Sequence, residues 1–170
     1  GQSFAIDEYQ REYKWGQENI EELMTDLREK FMTCYEETHE TKDVSSYEDY
    51  FLGSIIVSKR AGKHYLVDGQ QRVTSLTLLL IYLHHEAVRQ DLPVSNNLKS
   101  LIYSDNFGEV SYNLDIPERE GVLAALFEGK RFNPEGGDES IQNMYTRYQD
   151  IEAIDLAAEL DHALPHFCYW

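Results

Sequence analysis

The stretch that decides the fold is YLVDGQQRVTSLTLLLIYL, which spans residues 65–83. β-Forming residues precede Gly69 and apolar residues follow it at helical spacing, so the stretch predicts a short buried strand, a one-glycine turn and a long helix. Asp68 and Gln71 have the spacing of a capping box, in which each side chain bonds to a backbone amide at the helix start. The chain is therefore expected to be organised around one strand-to-helix joint.

The joint itself is a candidate phosphate site, because it holds Gly69, Gln70, Gln71 and Arg72. Backbone amides at a helix N-terminus attract anions, and a guanidinium binds phosphate oxygens with two parallel hydrogen bonds. A phosphate-binding Arg72 predicts that Arg72→Ala leaves the stability of the ligand-free protein nearly unchanged. The alternative is a structural Arg72 that pairs with Asp68 or another acid, and the sequence leaves both open.

The charge of the chain is strongly acidic, with 15 Lys and Arg against 31 Asp and Glu and a net charge of −16. This balance argues against an unaided, sequence-neutral grip on DNA, which needs a basic surface. Residues 51–89 differ, with 2 acidic and 5 basic residues and a net charge of +3. Such a positive island is where a phosphate is expected to bind, although Lys59, Arg60 and Lys63 also fit a chance cluster in a loop.

The remaining elements follow from periodicity and chain breakers. They are an extended aromatic segment over 4–15, a helix after Gly16, a strand from Tyr50 to Ser58 in a hairpin with His64–Val67, a central helix ending near Arg89, a short helix over 97–103, a strand from Val110 to Ile116, a helix from Gly121 to Glu128 and a last helical run from Ile141. Gly53 and Ser54 interrupt the first strand of the hairpin, which fits either a ligand lying across the strand or a bulge.

A chain of 170 residues predicts one domain. No apolar run is long enough to span a bilayer, and Cys34 and Cys168 are too far apart in sequence for a metal pair or a disulfide framework. The expected compartment is the reducing cytoplasm. Both ends, Gly1 and Trp170, are expected to be cuts in a longer protein.

Three motifs in order carry a family resemblance: YQREYKW at 9–15, FLGSIIV at 51–57 and YLVDGQQRVTSLTLLL at 65–80. Together they resemble the N-terminal domain of GmrSD-type proteins, a bacterial group long classed as a domain of unknown function. From about residue 96 to 155 the resemblance is looser and rests on the run SIQNMYTRYQ.

The resemblance implies an α+β fold similar to ParB and sulfiredoxin, with a small β-sheet, a central helix after the DGQQR turn and added C-terminal helices. A core over residues 4–90 would carry a helical extension over 91–170. The implied role is the restriction of modified or foreign phage DNA. In such proteins the N-terminal domain hydrolyses a nucleoside triphosphate with Mg²⁺, and a separate C-terminal nuclease domain contacts and cuts the DNA. Assembly into homo-oligomers is left open.

The resemblance also assigns roles to residues of this sequence. Asp68 would bind Mg²⁺ or orient water, and Gln70 or Gln71 would position the attacking water. Arg11 would close the site from the side opposite Arg72. The full set of implied catalytic residues is Asp68, Gln70, Gln71 and Arg72, and the implied nucleotide-binding residues are Gln10, Arg11, Tyr13, Trp15, Gly53, Ser54, Gly69 and Thr74.

Two other functions compete with nucleotide hydrolysis. One is a ParB-like phosphodiesterase or nickase that acts on DNA directly, against which the acidity counts. The other is a non-catalytic sensor of nucleotide or DNA. No Walker-type GxxxxGK[ST] motif occurs in the chain, which excludes an ordinary P-loop enzyme, and no His-Asn-His nuclease motif occurs either.

Overall fold

A computed structural model of the chain describes residues 4–6, 12–106 and 109–170. The fold is α+β, as predicted, and combines a small mixed sheet with a larger body of helices. The helices are α1 Gln17–Met32, α2 Gln70–Arg89, α3 Ser95–Ile102, α4 Glu120–Phe127, α5 Glu139–Ile154, α6 Leu156–Leu160 and α7 Leu164–Tyr169. The strands are β1 Phe4–Ile6, β2 Ile56–Arg60, β3 Lys63–Asp68, β4 Tyr103–Asn106, β5 Glu109–Tyr112 and β6 Leu114–Asp115. The likeness to ParB and sulfiredoxin stays a prediction.

The main sheet has four strands in the order β2-β3-β1-β6. The predicted hairpin is confirmed, because β2 and β3 pair antiparallel across a turn at Ala61 and Gly62. Both turn residues have positive φ angles, 47° and 83°, as tight hairpin turns require. β1 runs parallel to β3 and to β6, while β4 and β5 form a separate two-stranded sheet.

The central helix α2 is the main packing element of the structure. Its apolar face packs against α3, α4 and α5, and Leu78 and Ile81 are completely buried there. The apolar stripe predicted for α1 is also buried, and Phe31 at its end packs edge-on against Phe167 with ring centroids 5.2 Å apart. Helices α1 and α7, which are far apart in sequence, thus pack on one core.

A smaller core lies at the sheet, where Ile6, Leu66, Leu114 and Ile116 are buried together and Val73 of α2 packs against them. Residues 91–170 therefore contribute β6 to the sheet as well as helices to the main core. None of the helices in the described part of the chain is long and apolar enough to cross a membrane.

The predicted capping box at the start of α2 is wrong. Gly69 occupies the N-cap position in a left-handed conformation and has no side chain with which to cap the helix. Asp68 instead accepts a hydrogen bond at Oδ1 from the amide of Gly69, 2.8 Å away. Gln71 is used for a contact distant in sequence, which spacing alone does not reveal.

Two predicted strands differ from the structure. β2 begins only at Ile56, and residues 50–55 have no regular structure. The strand predicted from Val110 to Ile116 is divided at Asn113, whose amide donates to the carbonyl of Ile102 while its own carbonyl accepts from Phe4. The chain thereby changes partner from β4 to β1. The last helical run is also divided, because Asp155 takes a φ of 52° at the end of α5.

Candidate functional site

The strand-to-helix joint needs a glycine at residue 69. Gly69 has φ 88° and ψ 8°, a conformation that side chains disfavour. A Cβ added there would lie 3.1 Å from Cγ1 of Ile55 and 3.5 Å from the carbonyl oxygen of Ser54. The joint is therefore packed closely against the segment that leads into β2.

The two glutamines after Gly69 bond to main-chain atoms. Gln70 donates from Nε2 to the carbonyl of Val67, 2.8 Å away. The Gln71 carboxamide donates to the carbonyl of Glu12 at 2.6 Å and accepts from the amide of Lys14 at 2.7 Å. Gln71 thus pairs with the backbone of the opening segment in the way a neighbouring strand would.

Arg72 is bonded to the segment before β2. Its Nη1 donates to the carbonyl of Leu52 at 2.6 Å and lies 3.3 Å from the carbonyl of Ser54. Gly53, with φ 93°, lies under the guanidinium, and a Cβ there would lie 2.9 Å from Cζ of Arg72. The close approach of Arg72 therefore explains the glycine in this segment. Within the described part of the chain, the partners of Arg72 are carbonyls rather than the acids that the sequence left open.

The opening segment, residues 12–16, lies between α2 and α5. The Tyr13 amide donates to Oγ of Ser140 at 2.9 Å, and the Tyr13 hydroxyl lies 2.8 Å from Oγ of Ser75. Asn143 of α5 donates from Nδ2 to the carbonyls of Tyr13 and Trp15. The segment is thus held from both sides. Gln10 and Arg11 lie outside the described residues.

A cavity of about 1100 Å³ opens on the α5 side of the opening segment. Its wall includes two arginines: Arg119 is only 3% exposed, and the Arg147 side chain is 13% exposed. Arg147 forms an ion pair through Nε with Oδ2 of Asp150 at 2.5 Å. The other lining residues are Glu12, Tyr13, Lys14, Trp15, Gly16, Ile116, Glu118, Asp138, Glu139, Ser140, Gln142, Asn143 and Thr146.

The Tyr13 phenol, which lines this cavity, is influenced by its burial and by nearby charges. Burial raises the pKa of its phenol to about 12, against the opposing effects of the Ser75 hydrogen bond and of the positive charges of Arg147 and Arg119. Tyr13 is therefore a neutral hydroxyl at physiological pH. Both guanidinium groups lie close enough to act on it.

On the other side of the opening segment, Trp15 and Arg72 line one small hollow of about 170 Å³. Tyr50 and Asp26 line it as well, and the Tyr50 hydroxyl donates to Oδ2 of Asp26 at 2.8 Å. The opening motif and the DGQQR motif, which are far apart in sequence, thus meet in the structure.

One family matches almost the whole chain. The family described as GmrSD restriction endonuclease, N-terminal domain, matches residues 1–165. The chain belongs to this family. The resemblance inferred from the three motifs is confirmed, and the GmrSD-type domain is accordingly part of a restriction-system protein. No curated protein matches the chain.

In this GmrSD-type domain the predicted site residues do not all lie together. Gln71 and Trp15 lie at the opening segment, and Arg72 contacts Gly53 and Ser54. Asp68 is exposed at the end of β3 and is not among the residues that line the large cavity. Thr74 is only 1% exposed, and its Oγ1 has no hydrogen-bond partner in the described part of the chain. The nucleotide-binding roles of all these residues stay predictions.

Mg²⁺ is the metal ion that the resemblance implies for the GmrSD-type domain. Within residues 4–6, 12–106 and 109–170, no group of three or more His, Cys, Asp or Glu side chains could hold a metal ion. Mg²⁺ in nucleotide sites usually takes only one or two carboxylates, together with phosphate oxygens and water. Asp68 therefore fits such a role only alongside a bound phosphate, and Mg²⁺ stays a prediction.

The α5 wall of the cavity was not among the site residues predicted from the sequence. Ser140, Asn143 and Arg147 lie three and four residues apart and so share one face of the helix. These residues form a polar stripe beside the apolar stripe of Met144 and Tyr148, and this stripe is the sequence feature that could have indicated the wall. Arg119 gave no signal, because it lies in a short 3-10 helix after Pro117.

We expect Gln71→Ala to release the opening segment from α2. Both hydrogen bonds of the carboxamide would be lost, which should lower the free energy of unfolding by about 1–2 kcal/mol. Hydrogen exchange should speed up at the Lys14 amide, which bonds to Gln71, while the Tyr13 amide, which bonds to Ser140, serves as the internal control. Unchanged exchange at Lys14 would contradict this positioning role.

Proposed function

We propose that the chain is the nucleoside-triphosphate-binding and hydrolysing domain of a restriction protein. The observation that carries the proposal is the cavity of about 1100 Å³, whose wall contains the Arg119 and Arg147 side chains. That wall is formed in part by residues 12–16, which Gln71 of the DGQQR motif holds in place. The motif and the cavity are thereby coupled.

The size and the cations of the cavity suit a nucleotide. Small-molecule sites usually enclose about 300–1,000 Å³, so the cavity has room for a base, a sugar and phosphates. Guanidinium groups are the side chains best matched to phosphate oxygens, and those shielded from water hold an anion more strongly. Arg147 and Arg119 are therefore the proposed contacts of the phosphate chain.

The signature residues take positioning roles in this proposal. Phosphoryl transfer depends mainly on placing the reacting groups and on stabilising charge. Gln71 and Arg72 would fix the opening segment and the segment before β2, and so shape the site without touching the substrate. Mg²⁺ would enter with the nucleotide. Glu118 and Glu139 on the cavity wall are available to it, whereas Asp68 at the turn lies outside the cavity lining.

A second candidate is a nucleotide sensor without hydrolysis. It is favoured by one observation: Gln70, Gln71 and Arg72 all bond to main-chain atoms, as side chains with structural roles do. A sensor and a hydrolase would bind nucleotide equally well, and they differ only in phosphate release. A ParB-like nickase has no supporting contact among the described residues, and we expect the chain to leave supercoiled plasmid intact.

The experiment is a thermal unfolding series with each of the four nucleoside triphosphates and Mg²⁺, followed by a phosphate-release assay. A ligand present at about 100 times its Kd stabilises the folded state by about 2.7 kcal/mol, which raises the Tm by several degrees. Mg²⁺ alone and inorganic phosphate are the controls. Stabilisation without phosphate release would support the sensor, and no stabilisation by any nucleotide would overturn the proposal.

A further inference from the structure

The outer strand of the main sheet has an open edge. β2 lies at one end of the strand order β2-β3-β1-β6 and, among the described residues, pairs with β3 alone. Its other edge presents main-chain N–H and C=O groups on which a further strand can pair. Proteins usually protect such an edge with charged side chains, proline or a bulge, so the side chains along β2 decide how open it is.

Apolar side chains are exposed along the first half of β2 and in the segment before it. Eight large apolar side chains are exposed in the described part of the chain, and four of them fall within residues 51–57, namely Phe51, Ile55, Ile56 and Val57. The pairing with β3 shifts register between Ile56 and Val57, yet these two residues remain 53% and 40% exposed. Contiguous exposed apolar residues mark interaction surfaces, whereas isolated ones are ordinary.

The second half of β2 is basic. Residues 51–60 include Lys59 and Arg60 and contain no acidic residue, in a chain of net charge −16. Lys59 is exposed and forms no ion pair with any described residue. Opposite charges on neighbouring strands attract, so a carboxylate on an added strand would be stabilised beside Lys59. A second copy of the chain is a poorer match, because it carries the same basic strand end and the same large negative charge.

We propose that the open edge of β2 is a docking site for an extended acidic segment of another protein, which adds to the four-stranded main sheet as a new outer strand. Main-chain hydrogen bonds to β2 provide affinity in this mode of recognition, and alternate side chains provide specificity. The segment would place apolar side chains against Ile56 and Val57 and a carboxylate against Lys59. None of the residues that line the cavity of about 1100 Å³ lies in β2, so this site is separate from the proposed nucleotide site.

The docking site adjoins the DGQQR turn. Ile55, directly before β2, lies against Gly69, where an added Cβ would be 3.1 Å from Cγ1 of Ile55. The carbonyl of Ser54 lies 3.3 Å from Nη1 of Arg72. A strand that pairs with β2 would therefore end beside the segment that Arg72 holds, which connects the partner physically to the signature turn.

The probe for this site is a display library of linear random peptides of about ten residues, the upper length of an ordinary strand. Selection on the unchanged chain should enrich peptides that alternate apolar residues with Asp or Glu. A proline at the centre of the best peptide should abolish its binding, because proline lacks the main-chain donor that a strand needs. Binding of that peptide should slow amide hydrogen exchange within residues 56–60 by at least about tenfold, which locates it on β2.

Two double variants test the apolar half of the edge. Ile56→Thr with Val57→Thr keeps β-branched side chains while reducing the apolar surface, and it should weaken binding of the best peptide by at least about tenfold. Val88→Thr with Leu101→Thr is the matched control, since both residues are exposed and lie on helices outside the main sheet. The control should bind the peptide as the unchanged chain does.

A single charge change tests the basic half. Lys59→Gln should lower the affinity by about two- to fivefold and reduce its dependence on salt, whereas Lys42→Gln, at another exposed lysine, should change neither. Failure to enrich any peptide, enrichment of basic peptides, or equal losses in the edge and control variants would overturn the proposal. Concentration-dependent dimerisation in light scattering that only the Ile56→Thr, Val57→Thr variant abolishes, with no peptide enriched, would instead assign the edge to a second copy of this chain.

Discussion

Gly53→Ala is expected to destabilise the domain by about 3 kcal/mol or more. Part of the cost is conformational, because φ at this position is 93° and a residue with a Cβ pays about 1–2 kcal/mol there. The rest is steric, because the new methyl group would lie 2.9 Å from Cζ of Arg72 and would push the guanidinium away from the carbonyl of Leu52. Hydrogen bonds from charged groups contribute about 1.5–3 kcal/mol each.

Gly62→Ala is the matched control for the conformational part. Gly62 has a similar φ of 83°, but an added Cβ there meets nothing within 4 Å. Chemical denaturation should therefore give a free-energy loss of about 1 kcal/mol for Gly62→Ala, and the excess for Gly53→Ala measures its contact with Arg72.

A double-mutant cycle assigns that excess to Arg72. Arg72→Ala alone should cost about 2 kcal/mol through its lost carbonyl bonds, in contrast to the near-zero change that a purely phosphate-binding Arg72 predicts. With Arg72 absent, Gly53→Ala should cost only about as much as Gly62→Ala. The double variant should therefore lose less free energy of unfolding than the two single variants lose together. Full additivity would show that Gly53 and Arg72 act independently, and a stable Arg72→Ala variant would restore the purely phosphate-binding interpretation.

The sequence predicted the local elements better than it predicted which residues contact one another across the fold. The strand, glycine turn and helix over residues 65–89 follow from local chemistry, and the structure contains all three. The predicted capping box is absent because Gln71 makes a different contact: it pairs with the backbone at Lys14, 57 residues away in sequence. The strand predicted from Val110 failed for a similar reason, since Asn113 changes partner in three dimensions.

The candidate site shows the same limit. Motifs identified the turn and the opening segment, because both carry unusual residues at fixed spacing. They did not identify Arg147, whose position in the cavity wall depends on how α5 packs beside residues 12–16. The sequence marked Gly53 as unusual, but only the structure gives the reason for a glycine at this position, which is that the Arg72 guanidinium lies against it.

Arg147→Gln is expected to weaken nucleotide binding by about 10- to 100-fold. This range corresponds to about 1.5–3 kcal/mol for a hydrogen bond between charged groups. Arg28→Gln is the control for the change in charge, since Arg28 lies outside the cavity lining and pairs with Glu159 on the surface. Isothermal titration with the nucleotide that stabilises the unchanged chain best provides the measurement.

A structural role of Arg147 must be separated from a binding role, because removing it leaves Asp150 without the ion partner it has at 2.5 Å. The variant Arg147→Gln with Asp150→Asn removes both charges and should regain much of the stability that the single change loses. Its nucleotide affinity should stay as low as that of Arg147→Gln, because the guanidinium that contacts phosphate is still absent. If affinity returned together with stability, Arg147 would only support the opening segment through the carbonyl of Trp15, and the phosphate contact would have to come from another cation in the cavity wall.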